Sequence, residues 1–262
     1  MKFLEPMIIA FSMYSKIPMP RIEWNKENMK YTMCFFPLIG VVTGALIYLA
    51  GMFLDGNIFP KVGSGRLMFA AVMTLIPVFV SGGIHLDGFM DTMDALGSWG
   101  DKEKKLEILK DSHAGAFAVI TACVYFVAMY GGISQIVKAD DRGILYVLAL
   151  GYMVSRCLSG LGVISLPKAN ASGTVAEFSR KAKDLRVRNT LVIYLLLLTV
   201  CMICIQPVWG AAVILTALLV FAFYRHKALK YFGGTTGDLS GYFLCLCEVW
   251  IVLVLAVVSV NF

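Results

Sequence analysis

The sequence predicts an all-α integral membrane protein: a polytopic bundle of about seven transmembrane helices in a single domain, residues 1–262, with a cytoplasmic N-terminus and interfacial or re-entrant segments. Three observations predict it. The mean hydropathy is +0.78 and only 15% of residues are charged, whereas about a quarter are charged in a soluble domain. Mainly apolar runs long enough to cross a hydrocarbon core of about 30 Å recur near 34–54, 67–84, 116–137, 143–166, 190–207, 209–224 and 239–261. Lysine and arginine then alternate in density between the intervening segments. With the N-terminus inside, eighteen fall on the cytoplasmic side and four, Lys61, Arg66, Lys138 and Arg142, on the other, with Arg156 alone inside a span. An even number of spans would scramble that positive-inside bias.

Taken in order, residues 3–19 are apolar but broken by Pro6, Ser12, Ser15 and Pro18, which suits an interfacial or re-entrant segment. The first ten residues carry Glu5 and Pro6 and lack the pattern of a cleaved leader. The spans at 34–54 and 67–84 follow, and the second runs directly into "SGGIHLDGFMDTMDALG", residues 81–97. If helix continues there, Asp87, Asp91 and Asp94 stand at i, i+4 and i+7 and line one face. Three like charges so close repel unless a cation lies among them, and carboxylate oxygens suit a hard divalent ion, Mg²⁺ or Mn²⁺. The alternative is a solvated helix end. His85 reads as a hydrogen-bonded interface residue.

Residues 100–115, "GDKEKKLEILKDSHAG", form a short amphipathic surface helix capped by Asp101, with Lys102, Lys105 and Lys110 on a basic face that is either solvated or binds an anionic substrate. Its end, Lys110, Asp111 and Ser112, leads through Gly115 into the third span. The fourth span holds Arg156, and a basic loop at 167–189 follows it. The spans at 190–207 and 209–224 are split only by "QPVWG" and form either a tight hairpin or one bent element. Cys201 and Cys204 read as small core residues rather than a metal pair. The stretch "YFGGTTGDLSG", 231–241, opens the last span with glycines and hydroxyls at a helix start, a phosphate-friendly pattern that includes Gly234, Thr236 and Asp238. Arg156 and Glu248 are charges at membrane depth; such residues face a cavity or pair with one another. All the polar stretches fall on the cytoplasmic side, where a metal-held site for phosphoryl or phosphodiester transfer fits best.

The motifs "GGIHLDGFMDTMDALG", "ILKDSHAGAFAVI" and "GGTTGDLSG…CEV", with "FFPLIGVVTG" at 35–44 and the early "FSMYSKIPMP", resemble the cobalamin synthase family, the adenosylcobinamide-GDP ribazoletransferases. The likeness runs in order over nearly the whole chain. It implies a Mg²⁺-dependent membrane enzyme that joins adenosylcobinamide-GDP to α-ribazole or its phosphate and releases GMP, late in cobalamin synthesis. It further implies Asp87, Asp91 and Asp94 as metal and pyrophosphate ligands, with Lys110, Asp111, Ser112 and Gly115 at the metal or phosphates. Asp91, Asp94 and Asp111 become the catalytic candidates, and Arg156, Gly234, Thr236, Asp238 and Glu248 the remaining substrate contacts. His113 stands where an arginine is common in that family.

A CDP-alcohol phosphotransferase uses a similar aspartate-held metal but needs Ala-Arg soon after Asp-Gly; here Phe89, Met90 and Asp91 follow Asp87-Gly88. An ion-coupled transporter would spread its acids through the bilayer, and no inverted repeat of the spans is visible. The expected partners are the two substrates and the lipid bilayer of the cell membrane, with no nucleic acid. Oligomeric state is left open by the sequence.

Overall fold

A computed structural model of the chain describes residues 4–25, 29–53, 64–138, 142–169 and 185–261. The middle of the basic loop, with Arg180, Lys181 and Lys183, lies outside the described residues. Among the described residues the fold is all-α. Six helices are long and apolar enough to cross a membrane: α2 (Thr32–Phe53), α6 (Ala116–Lys138), α7 (Arg142–Ser165), α8 (Leu185–Ile205), α9 (Pro207–Lys227) and α10 (Gly237–Asn261). Shorter elements are α1 (Glu5–Tyr14), α3 (Ser64–Ser81), α4 (Ile84–Gly97) and α5 (Lys102–Ile108). The predicted second span is the exception to a straight crossing. α3 is long and apolar enough only together with α4, and the pair is bent by 92°.

The cause of the bend is local. Gly82 and Gly83 have φ of 64° and 83°, a left-handed conformation that side-chain-bearing residues avoid. The helix therefore stops at Ser81 and restarts at Ile84, and the aspartate helix does not continue the axis of the preceding span. At ten residues, α1 is too short to cross. It docks on α2, and just beyond its end the Lys16 N–H donates to the Val80 carbonyl at 2.9 Å.

α7 is the central helix, with 72% of its apolar window buried, while α8 shows only 17% buried and presents Leu196, Leu197 and Val200 outward. Such an exposed apolar belt suits lipid. Cys201 and Cys204 belong to it as exposed free thiols, not to the core. α8 and α9 form the tight hairpin of the two predicted alternatives. Gly210 meets the Met202 carbonyl backbone to backbone, which eight residues of continuous helix would hold about 12 Å apart.

The closest helix pairing joins α2 to α7. A β-carbon on Gly40 would strike the Tyr152 carbonyl, and one on Gly44 the Ala149 carbonyl. This is a small-xxx-small contact, in which missing side chains let two backbones touch. Gly44→Val is expected to force these helices apart and lower stability by about 2–3 kcal/mol, the range for overpacking a close contact. A thermal midpoint within error of wild type in detergent would refute the contact.

Candidate active site

One end of the bundle collects the starts of α6 and α10, the end of α9 and the whole of α4. On α4 the residues His85, Gly88, Phe89, Thr92 and Ala95 are buried, at the spacing of a helix face packed on its neighbours. Gly88 is where α4 meets α10: a β-carbon there would lie 2.7 Å from the Asp238 α-carbon. That approach brings Asp238, the first acidic residue of α10, beside the aspartates of α4. Asp91 is within electrostatic reach of Asp87, Asp94 and Asp238 at once. Asp87 is exposed and the other three are half-buried. None of the four has an ion-pair partner among the described residues.

The three predicted ligands divide into two kinds. Asp94 is committed: its Oδ2 accepts the Gly115 N–H at 2.5 Å and its Oδ1 the Ala118 N–H at 3.1 Å. A carboxylate at a helix start satisfies N–H groups that lack intrahelical partners and complements the positive end of the dipole. Gly115 thus has a specific duty, because a β-carbon there would overlap the Asp94 carboxylate. Among the described residues, the carboxylates of Asp87 and Asp91 have no hydrogen-bond or ion-pair partner. Their oxygens, with those of Asp238, are the donor chemistry a hard divalent cation takes. In the chain alone, no three His, Cys, Asp or Glu side chains among the described residues converge closely enough to hold a metal.

Lys110, Asp111 and Ser112 lie on the exposed link between α5 and α6. Asp111 Oδ1 accepts from the His113 ring Nδ1 at 2.7 Å and the His113 N–H at 3.0 Å. These bonds hold its carboxyl below the ordinary carboxylate range, so it is ionised at neutral pH. The His113 ring is thereby occupied with its neighbouring carboxylate.

The loop before α10 is held from within. The Thr235 N–H donates to the Pro167 carbonyl at 2.8 Å, and its hydroxyl lies 2.5 Å from the Tyr224 hydroxyl. Thr236 Oγ1 accepts the Leu239 N–H at 3.1 Å, a helix N-cap. Gly234 is pressed against the backbone of 167–169. Beside it, Lys168 donates to the Leu166 carbonyl at 3.0 Å, and burial pushes its ammonium down to about 8. Gly234 and Thr236 therefore shape the loop that sets Asp238 in place.

Arg156 and Glu248 take the pairing alternative. Arg156 Nη1 donates to Glu248 Oε1 at 2.8 Å, with the two side chains 1% and 5% exposed. The Ser155 hydroxyl donates to the same oxygen at 3.2 Å. His85 packs between Tyr14 and Phe36 at ring-centroid distances of 6.4 and 6.0 Å. Its Nε2 has no hydrogen-bond partner among the described residues, so it is an interface residue held by ring packing.

Sequence reasoning missed the role of Lys105. Rather than lying on a solvated basic face, it is buried. Its Nζ donates to the Ala95 carbonyl at 2.9 Å and the Ser98 carbonyl at 2.6 Å, closing the end of α4. A cation favours the negative end of a helix dipole. Its spacing from Leu106 and Leu109 gave no sign of this, because the partner groups are backbone carbonyls.

Comparison with known proteins shows what this arrangement belongs to. The cobalamin-5-phosphate synthase family matches residues 6–256. The chain is a member of that family. An adenosylcobinamide-GDP ribazoletransferase of Lachnoclostridium phytofermentans is 45% identical over 248 residues, 95% of this chain and 92% of the relative. Proteins of the same name from Clostridium botulinum and Pseudomonas putida are each 30% identical, covering 93% of both chains in the first case and 96% and 98% in the second. No solved structure matches. As a cobalamin-5-phosphate synthase family member, the chain is a transferase of cobalamin biosynthesis with multi-pass membrane architecture. The transporter and phospholipid-synthesis readings are thereby set aside.

Proposed function

We propose that the chain joins adenosylcobinamide-GDP to α-ribazole or its phosphate, releasing GMP, at a site on the cytoplasmic face of the cell membrane. The observation that carries this reading is the meeting of Asp87 and Asp91 with Asp238 at one end of the bundle, free of cationic partners. Such a cluster suits a substrate that brings a pyrophosphate and its divalent counter-ion.

Asp87, Asp91 and Asp238 would hold Mg²⁺, which when bound offsets the negative charge on the reacting phosphates. Asp91, half-buried and free of other bonds, is placed to take the proton of the attacking ribose hydroxyl. The oxygen of that hydroxyl forms the new bond to the phosphorus that carries the cobinamide. The bond from that phosphorus to the GMP oxygen breaks, and GMP leaves with the electron pair. Asp94 takes no proton in this scheme; it fixes α4 against α6 so that Asp91 keeps its position. Lys110, Asp111 and Ser112, on the exposed α5–α6 link, would contact the substrate's phosphates.

Purified protein in lipid, given both substrates, should form cobamide and GMP in the presence of Mg²⁺. Chelation with EDTA should reduce the rate by at least about 10²-fold, in keeping with a metal that stabilises several kcal/mol of charge. Undiminished GMP formation in EDTA would refute the metal assignment, and no GMP with any divalent ion would refute the reaction.

A further inference from the structure

The end of α4 opens into a second cavity, of about 450 Å³, which neither the family motifs nor the carboxylate cluster accounts for. Its walls come from four separate parts of the chain: the α4 end at Leu96, the link at Ser98 and Trp99, α5 through Lys102 and Lys105, and the α9 end at Lys227 with the π-helical turn Ala228–Phe232 that follows it, through Lys230 and Tyr231. The four lysines form two local pairs, Lys102 with Lys105 and Lys227 with Lys230, which are far apart in sequence and meet only in the fold. Three of their ammonium groups surround one ring: Lys227 Nζ lies 4.9 Å, Lys230 Nζ 5.2 Å and Lys105 Nζ 6.0 Å from the Tyr231 centroid. Lys102 lies alongside, its Nζ against Gly233.

The charge in this cavity is unbalanced. Asp101 is the one carboxylate among the lining residues, and its Oδ1 accepts the Lys104 N–H at 2.9 Å as the cap of α5. Lys102, Lys227 and Lys230 have no ion-pair partner among the described residues. Four converging cations repel one another, and a multiply charged phosphate removes that repulsion. The aromatic groups narrow the ligand class further. Trp99 is wholly exposed at the rim, with a relative exposure of 104%, and Tyr231 forms part of the wall. Aromatic faces beside a cationic groove stack nucleobases, and the volume suits a small ligand.

Position completes the argument. Ser98 follows Asp91 by seven residues, about 10 Å along a helix, so the cavity begins two turns beyond the carboxylate cluster. A diphosphate seated at Asp87 and Asp91 would extend one of its arms toward the lysines.

We propose that this lysine and aromatic cavity binds the nucleotide half of the GDP-bearing substrate, and the GMP that leaves. The inference rests on the reaction proposed above and adds the place where the leaving group is held. Trp99 stacks on the base, and Lys102, Lys227 and Lys230 contact the phosphate. Lys105 is a positioning residue, because its Nζ also fixes the end of α4.

The test is equilibrium dialysis of GMP against the full-length protein in zwitterionic lipid, a measurement that needs no turnover. The double variant Lys227→Gln/Lys230→Gln and the single variant Trp99→Ala should each raise the GMP Kd about tenfold or more, the scale of losing charge-assisted bonds or a stacked base. Lys227→Arg/Lys230→Arg should retain binding. Lys104→Gln, which touches an exposed pair with Glu107, should bind as wild type. In turnover, the double Gln variant should raise KM for adenosylcobinamide-GDP and leave KM for the α-ribazole substrate unchanged. An unchanged GMP Kd in the double Gln variant overturns the proposal, as does wild-type protein that binds no GMP. A variant defect that appears only in anionic bilayers, with GMP binding intact, overturns it in favour of a lipid headgroup site. Lysine-dependent GMP binding without any transfer would sink the proposed reaction and leave the nucleotide site standing.

Discussion

Asp91→Asn is expected to lower GMP release by roughly 10²–10⁴-fold, the contribution of a positioned general base, with the thermal midpoint unchanged or slightly raised. The substitution keeps shape and removes one negative charge from a cluster in which Asp87, Asp94 and Asp238 all act on Asp91. Among the described residues, none donates to the Asp91 carboxylate a hydrogen bond that asparagine would forfeit. Asp94→Asn provides the contrast: its carboxylate holds the N–H groups of Gly115 and Ala118. Weakening a charged bond at a helix start destabilises by about 0.5–2 kcal/mol. Loss of activity without loss of stability at Asp91, and loss of stability at Asp94, would separate the reacting carboxylate from the positioning one. Turnover within about twofold of wild type for Asp91→Asn would exclude it as the base, since the smallest effect expected of one is about 10².

Glu248→Ala is expected to produce the largest loss of stability of any single change, about 3–5 kcal/mol, because it leaves the Arg156 guanidinium unpaired in the interior. Arg156 is 1% exposed, and its Nε already lacks a partner. The guanidinium would keep only the Tyr152 carbonyl, 2.9 Å from Nη1. Replacing both partners, Arg156→Met with Glu248→Leu, should recover most of the loss, since an apolar pair of similar volume needs no desolvation of charge. The measurement is a double-mutant cycle on denaturation in detergent micelles. A single-variant loss below about 1 kcal/mol would show that the pair contributes little beyond an exposed bridge. Activity of the double variant then assigns the role: a stable, active protein makes the bridge structural, and a stable, inactive one makes it a substrate contact.

The spans were legible because hydropathy over about 20 residues is a one-dimensional signal. Predicted and observed helices agree to within a few residues at most ends: 143–166 became Arg142–Ser165, and 239–261 became Gly237–Asn261. The i, i+4, i+7 spacing of Asp87, Asp91 and Asp94 survives because it depends only on α4 being helical. What eluded the sequence depends on partners distant in the chain. Nothing local to "SGG" said that both glycines would turn left-handed, and so the bend was missed. Asp238 joined the carboxylates only through Gly88, whose lack of a side chain matters solely because α10 lies against it. Of the four lysines of the α4-end cavity, Lys227 and Lys230 were read only as positive-inside signals, and Lys102 and Lys105 also as the basic face of a surface helix; neither signal carries information on convergence.

The Gly82–Gly83 turn also sets a depth. α3 and α4 together run from residue 64 to residue 97, and as one straight rod would measure roughly 50 Å, against a hydrocarbon thickness of about 30 Å. Asp91 would then ride on the overhang, roughly 10 Å past the far edge of the bilayer. A bend of 92° instead sets the second half nearly at right angles to the first, level with the first turns of α6 and α10. Two residues without side chains thus act as a ruler, and the level of the carboxylates along the bundle is written as a pair of dihedral angles.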